Sequence, residues 1–520
     1  MRKKDLDNLN VIKTKFDNNI PDIPPSLAEN RIKYKILLNT QHRTIPFKPV
    51  LNYKPIISAA ACFVLILCAV FAVNWYSLNT DKVTTFGSYD ELNSRITALD
   101  KCPPGEYGGH GGPAKTVHQK RDANVEFPAA IKTDGEYIYF ADYDTETNIN
   151  RNKIYICKLE NGSNGFVALI DHLAPDMVDE YDDSYEIRDL FVYNNRLAII
   201  MNKYNPMSAD KYKSDFNAAV IKIYDITDKS NPFLITEYEQ SGEYFESRMI
   251  DNTLFVSTNY EVATDDTEYT VPRIYQNGES LTLSLKDIAC FDNVKASQYA
   301  VLTSIDVESG NQAENAKAFL GGSPKIYCTK DYIYINEYVE GERFGDPEHD
   351  VASAMKINLQ NNKISFASAE EINAYANVKI ELGKGTSYAY DIYPIGENYL
   401  CIGDDLNTFQ NEIILYDKAL NVLDSFTFED MSIMSNLGDF AFDAQRGVFA
   451  FAVYKPDEIK RNYGVITVAI NDNKITVTNE FMYDGYNPVG CLITSDSVIE
   501  VFVDYTKPDD DRIELKINKY

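Results

Sequence analysis

The chain has 520 residues, 44% hydrophobic and 25% charged, with a net charge of −28; those fractions exclude a disordered chain and fit a folded globular one. Residues 1–55 hold eleven Lys or Arg against five Asp or Glu, a net of +6, so the rest of the chain must carry −34. A surplus of that size excludes nucleic acid as the partner of the larger part, because phosphate repulsion opposes the electrostatic attraction on which such binding depends.

In the basic tail, 1–55, Ser26 followed three residues later by Glu29 has the spacing of a capping box, and the spacing of Ile32, Ile36 and Leu37 predicts a short helix with one apolar face. This segment is expected to be either a docking helix or a passive juxtamembrane one. Residues 56–76 contain no ionisable side chain other than Tyr76 and the thiols of Cys62 and Cys68, and at about 20 residues they match the length of a membrane-spanning helix, with Trp75 and Tyr76 suited to the interface. Positive charge before the span and negative charge after it place the N-terminus in the cytoplasm and the bulk outside, as a single-pass protein of the cell membrane. A cleaved signal peptide is the rival reading, with Val70 and Ala72 as the small residues of a cleavage site, although a leader of 55 residues far exceeds a normal n-region.

After the span, residues 77–123 are read as an extracytoplasmic helix and linker. The pattern from Phe86 to Leu99 predicts a short helix, and the Gly- and Pro-rich run 103–113 predicts a flexible connection. Its His110 has no neighbour of ligand type. Six cysteines lie beyond the span, namely Cys102, Cys157, Cys290, Cys328, Cys401 and Cys491, and none forms a close C-x-x-C pair, so no zinc or redox motif is present. Cys157, Cys328, Cys401 and Cys491 sit in apolar strand-like runs, where cysteine serves as a small hydrophobe; an occasional disulfide is permitted by the compartment.

From about residue 124 a unit recurs: an apolar strand, a turn, an alternating strand, a polar loop and another alternating strand. The clearest alternating runs are 136–141, 195–201, 252–257, 331–336, 398–403, 447–453 and 497–503, each followed by a further run at 153–158, 219–224, 299–305, 354–358, 412–416, 463–469 and 512–517. The expected fold of 124–520 is therefore all-β, a β-propeller of seven four-stranded blades preceded by a single transmembrane helix. The last unit reaches only its third strand, so a strand around residues 124–127 is expected to complete it.

Three segments, 131–139 with Lys132-Thr133-Asp134-Gly135, 223–234 with Asp228-Lys229-Ser230-Asn231-Pro232, and 242–256 with Ser247-Arg248-Met249, resemble the secreted or membrane-anchored bacterial and archaeal β-propeller domain proteins distantly related to WD repeats. The resemblance extends over residues 86 to about 520 and implies a propeller outside the cell, with no established catalytic residues to carry across. One departure is that Glu126-Phe127-Pro128-Ala129-Ala130 stands where an acidic stretch usually precedes the Lys-Thr-Asp-Gly segment. Read from the residues alone, Asp134-Gly135 is a tight hairpin signal, residues 228–232 form a turn between strands, and Arg248 is expected to be an ion-paired structural residue.

Chemistry-bearing patterns are sparse. Asp142, Asp144, Glu146 and Asn148 alternate as oxygen ligands for calcium would, yet Thr147 and Lys153 stand where an EF-hand needs Gly and Glu, so the competing reading is a solvated acidic loop. Residues 509–511 form a second acidic loop. No G-x-S-x-G elbow, H-E-x-x-H helix or P-loop occurs, the one Trp lies at the membrane boundary, and only His110, His118, His172 and His349 lie beyond the span, so histidine chemistry is poorly supplied there. No cofactor is expected apart from calcium at that one loop. The tyrosines, at alternating strand positions, are expected in cores and sheet faces. These features predict a noncatalytic module that binds an extracytoplasmic protein or small ligand, with a relay of occupancy to the cytoplasmic tail as its extension. A hydrolase acting on cell-surface carbohydrate or peptide through funnel carboxylates, or a structural envelope protein, are the alternatives.

Overall fold

The computed structural model describes residues 84–96, 117–119 and most of 125–519, all within a compact unit, Leu78–Tyr520. The basic tail, the span expected at 56–76 and the Gly- and Pro-rich run 103–113 lie outside the described residues. No helix among the described residues is long and apolar enough to cross a membrane.

Among the described residues, seven sheets of three or more strands follow one another. The first is built from Ile131–Thr133, Tyr137–Asp144, Ile149–Lys158 and Phe166–Ile170, and the second begins with Ser184–Tyr193, Arg196–Tyr204, Asn217–Asp225 and Phe233–Ser241. The third starts at Glu243–Ile250, the fourth at Gly322–Cys328, the fifth at Ser387–Ile395, the sixth at Ser432–Ile433 and Phe440–Asp443, and the last at Asn487–Ile493. Neighbouring strands within these sheets are antiparallel except where Ile288–Cys290 joins Asn315–Leu320.

Four strands per sheet is the expectation, and among the described residues four sheets depart from it: the second and third have six, the sixth five and the last three. The hairpin Arg273–Gln276 and Glu279–Thr282 extends the second, and Ile288–Cys290 followed by Thr84–Thr85 extends the third. Beside that added edge lies the predicted helix, Tyr89–Arg95; Ser88 Oγ accepts from the Glu91 amide at 3.2 Å and Glu91 Oε2 accepts from the Gly87 amide at 2.9 Å. Those two bonds satisfy donors that a helix start leaves open, and Leu92 is fully buried in the third sheet's outer cluster.

Alternate residues of one strand enter different cores. Tyr139 and Ala141 pack toward the second sheet, whereas Ile138 and Phe140 pack with Ile499 and Val501 of the last. Leu197, Ile199 and Met201 face the first sheet, while Ala198 and Ile200 face the third. Similar shared clusters join the third sheet to the fourth, the fifth to the sixth and the sixth to the last. First strands of neighbouring sheets also touch: Ile131–Thr133 meets both Ser184–Tyr193 and Asn487–Ile493. The first strands therefore form the inner edge around which the sheets are set.

The strand expected at 124–127 does not complete the last sheet. Val125 is buried against the third and fourth sheets, and Glu126 exchanges two backbone hydrogen bonds with Met249, at 2.7 and 2.9 Å. The last sheet keeps three strands among the described residues, Asn487–Ile493, Ser497–Val503 and Ile513–Lys519, and meets the first sheet through side chains. If that seam holds the domain together, Ile138→Ala lowers the unfolding free energy by about 2–5 kcal/mol. Val422→Ala, at a side chain 60% exposed, changes it by about 0.5 kcal/mol or less. Urea unfolding compares the two, and equal losses would contradict the seam.

Candidate inner-edge site

The first strands repeat one irregularity. The register skips a residue between Ile187 and Asp189, between Tyr244 and Glu246, and between Ala389 and Asp391. Such a bulge re-aims the side chains around it, and in all three strands the residue after the skipped one is an acid. Asp189 and Glu246 are thereby set on adjacent inner strands.

Asp189 is only 2% exposed, and its Oδ2 accepts a hydrogen bond from the Tyr244 hydroxyl across the seam between the second and third sheets. That hydroxyl also lies 2.8 Å from Ser247 Oγ, and the Tyr244 amide donates to Asn202 Oδ1 at 2.8 Å. Asp189 Oδ1 is buried with no hydrogen-bond partner. Burial pushes the Asp189 carboxyl up to about 7, against the lowering effects of the Tyr244 hydroxyl and of Arg188, Lys132 and Arg248. Burial and the neighbouring Asp189 together hold the Tyr244 hydroxyl well above its ordinary value.

Each nearby cation has its own acid. Arg188 pairs with Glu186 at 3.0 Å, Lys132 with Glu126 at 2.5 Å and Arg248 with Glu246 at 3.1 Å. Glu246 Oε2 also accepts from the Ile326 amide at 3.1 Å, which ties the third sheet to the fourth. Across these strands run the described residues 125–127 and 129, the strap: Glu126 pairs with Met249, and the Leu190 amide donates to Ala129 O at 3.1 Å. Lys132 Nζ donates to Phe127 O at 2.8 Å, and the Arg248 guanidinium sits 4.3 Å from the centre of the Phe127 ring. Part of the inner edge is thus occupied by the chain's own backbone.

Two of the three segments that carry the family resemblance meet nearby. Asp134 Oδ1 accepts from the Glu136 and Tyr137 amides at 3.1 and 2.7 Å, closing the hairpin in which Gly135 takes a φ of +94°. Its Oδ2 accepts from the Tyr139 hydroxyl at 2.7 Å and faces Lys229 Nζ at 3.1 Å, from the turn of the second sheet. Partial burial raises the Asp134 carboxyl, but the bonds from Tyr137, Tyr139, Glu136 and Lys229 outweigh it and hold it below the ordinary value. Asp228 shapes the second turn by accepting from the Ser230 amide at 3.0 Å. The third segment supplies Tyr244, Ser247 and Arg248.

The candidate calcium ligands fall largely outside the described residues. Asp142 and Asp144 lie at the end of the strand Tyr137–Asp144, while Glu146 and Asn148 lie outside the described residues. Arg248 is ion-paired as expected, and Tyr139, Tyr155, Tyr238, Tyr260, Tyr299 and Tyr393 are core residues. Cys157, Cys290, Cys328, Cys401 and Cys491 are buried thiols, with burial pushing Cys157 and Cys328 up to about 12. Sequence reasoning missed Asp189, Glu246 and the strap. The available signal was that each of the first strands Ser184–Tyr193 and Glu243–Ile250 carries two acids and an arginine.

Removal of the clasp tests its weight. Asp134→Ala is expected to lower stability by about 1–3 kcal/mol in urea unfolding. Because the folded carboxyl lies below its ordinary value of 3.8, its contribution is present above that value and lost as the pH falls through the folded one. The variant's stability therefore varies less with acid than the parent's; an unchanged acid profile would contradict the clasp.

The fold is similar to solved structures at low identity. These include Pyrococcus horikoshii acylaminoacyl peptidase, at 13% identity over 78% of this chain and 51% of that one with a TM-score of 0.33. Puromycin hydrolase matches at 7% identity over 73% of this chain and 50% of the other, TM-score 0.34. Drosophila Plexin A, in a complex with Semaphorin 1b, matches at 11% identity over 79% and 88%, TM-score 0.34. The chain spans about half the length of the first two. No curated protein matches the sequence. The family model described as a Beta propeller domain matches residues 119–379, half of the chain, and the described residues among them fold into successive, mainly antiparallel sheets with the first strands inward; the chain belongs to the β-propeller domain family.

Proposed function

We propose that this protein is a single-pass membrane protein whose extracytoplasmic domain, a propeller of seven blades, is a noncatalytic module that binds a protein or small ligand through its outer loops. The observation that carries this reading is the strap across the inner strands. A propeller enzyme needs open reactive groups at its axis, whereas here Glu126, Glu186 and Glu246 are each held by a cation and Asp189 is buried behind Tyr244.

Charge gives the class of partner. Lys203, Lys222, Lys317 and Arg196 are also held in ion pairs within the sheets, so positive side chains are consumed internally while the part beyond the span carries −34. Such a surface steers a cationic partner toward it and repels an anionic one. The uncharged run 56–76 and its cationic flank support the anchoring and orientation.

Protease added to intact cells is expected to degrade the domain and spare the tail, and the full-length protein in detergent is expected to leave glycoside and peptide substrates unchanged. An uncut domain would contradict the topology. Turnover abolished by one carboxylate substitution would replace the binding module with a hydrolase.

A further inference from the structure

The inner edge holds a charge imbalance that its geometry does not relieve. Around Asp189 stand Arg188 and Glu186 on its own strand, Lys132 on the first sheet, Glu126 on the strap, and Tyr244, Glu246 and Arg248 on the third sheet. The three cations already have three carboxylates. Asp189 is the fourth acid, buried, with one oxygen on the Tyr244 hydroxyl and the other without a partner.

A buried charge without its own counterion is strongly disfavoured, so the group is neutral as a whole when Asp189 keeps its proton. Two of the cations are also the ones that hold the strap, Lys132 through Glu126 and Phe127 O, and Arg248 through the Phe127 ring. An ionised Asp189 competes for those same cations.

We propose that Asp189 is a proton-operated latch: while it is protonated the strap is locked across the second and third sheets, and when its proton passes to water the carboxylate draws Lys132 and Arg248 away and loosens the strap. The only covalent bond broken is the carboxyl O–H, solvent takes the proton, and the contacts of Lys132 with Glu126 and Phe127 O and of Arg248 with the Phe127 ring give way to contacts with the carboxylate. The direction follows from burial. Asp189 rises from 3.8 to about 7 on folding, so the stability it lends is fully present below 3.8 and lost as the pH rises through about 7. The pH window of the latch is the neutral range. Strap release would bare the inner edges of Ser184–Tyr193 and Glu243–Ile250, the backbone now covered at Leu190 and Met249.

Hydrogen exchange of the full-length protein in detergent, read by mass spectrometry and corrected for the intrinsic pH dependence of exchange, tests this at about pH 5 and about pH 9. In the parent chain, peptides covering 125–129 and 243–250 are expected to lose about tenfold in protection at the higher pH. Asp189→Asn, neutral at both, is expected to keep its protection at both. Tyr244→Phe retains the carboxyl but removes the bond that favours its ionised form, so its transition moves to higher pH, which keeps the test decisive if the Asn variant fails to fold. Protection that ignores pH in the parent, a loss in Asp189→Asn equal to the parent's, or an unmoved midpoint in Tyr244→Phe would each overturn the latch.

Discussion

The structure depends on sheets that are apolar on both faces. All seven side chains of Ser497–Val503 are buried, and the first eight of the nine in Gln298–Asp306 are as well. A sheet with one wet face could stand at the end of a stack. A sheet with two apolar faces needs a neighbour on each side, and a succession of such sheets satisfies every face only by returning to its start. Contact between Ile138, Phe140, Ile499 and Val501 is where the last sheet comes back to the first.

Convergence of the first strands follows from that arrangement and creates the inner edge. Strands with open backbone on one side need a cover, and the strap supplies it at Met249 and Leu190 with hydrogen bonds of 2.7–3.1 Å. The bulges at Ile187/Asp189 and Tyr244/Glu246 place acids among those strands, where burial acts on them. Packing, charge and the proposed latch are thus successive consequences of one geometry, and the family-like segments are its fasteners rather than a catalytic apparatus.

How far the sequence reading reached follows the range of the interactions involved. The seven alternating runs were visible because alternation is a property of the strand itself, and the Asp134-Gly135 hairpin because its bonds span only three residues. The helix at 89–95 was marked by Ser88 and Glu91 in the same local way. Residues 125–127 alternate like a strand, but their partner lies more than a hundred positions away at Met249, and nothing local chooses Met249 over the open edge of the last sheet. The extra strand Ile288–Cys290 in the third sheet escaped notice because three residues are too few to show a period. Asp189 looked like one acid among 78; its role comes from burial and from Tyr244 on another sheet.

The return of the last sheet to the first is the claim most directly open to measurement. Gly165 and Leu515 lie against each other at that seam; Glu514 precedes Leu515 in the chain, and Glu160 lies two residues after Lys158, whose amide donates to Gly165 O at 2.6 Å. Spin labels at Glu160 and Glu514, read by pulsed electron resonance on the full-length protein, are predicted to give one short, narrow distance distribution. A long or broad distribution in a chain that still has its β-sheet content would mean an open row of sheets and would contradict the account.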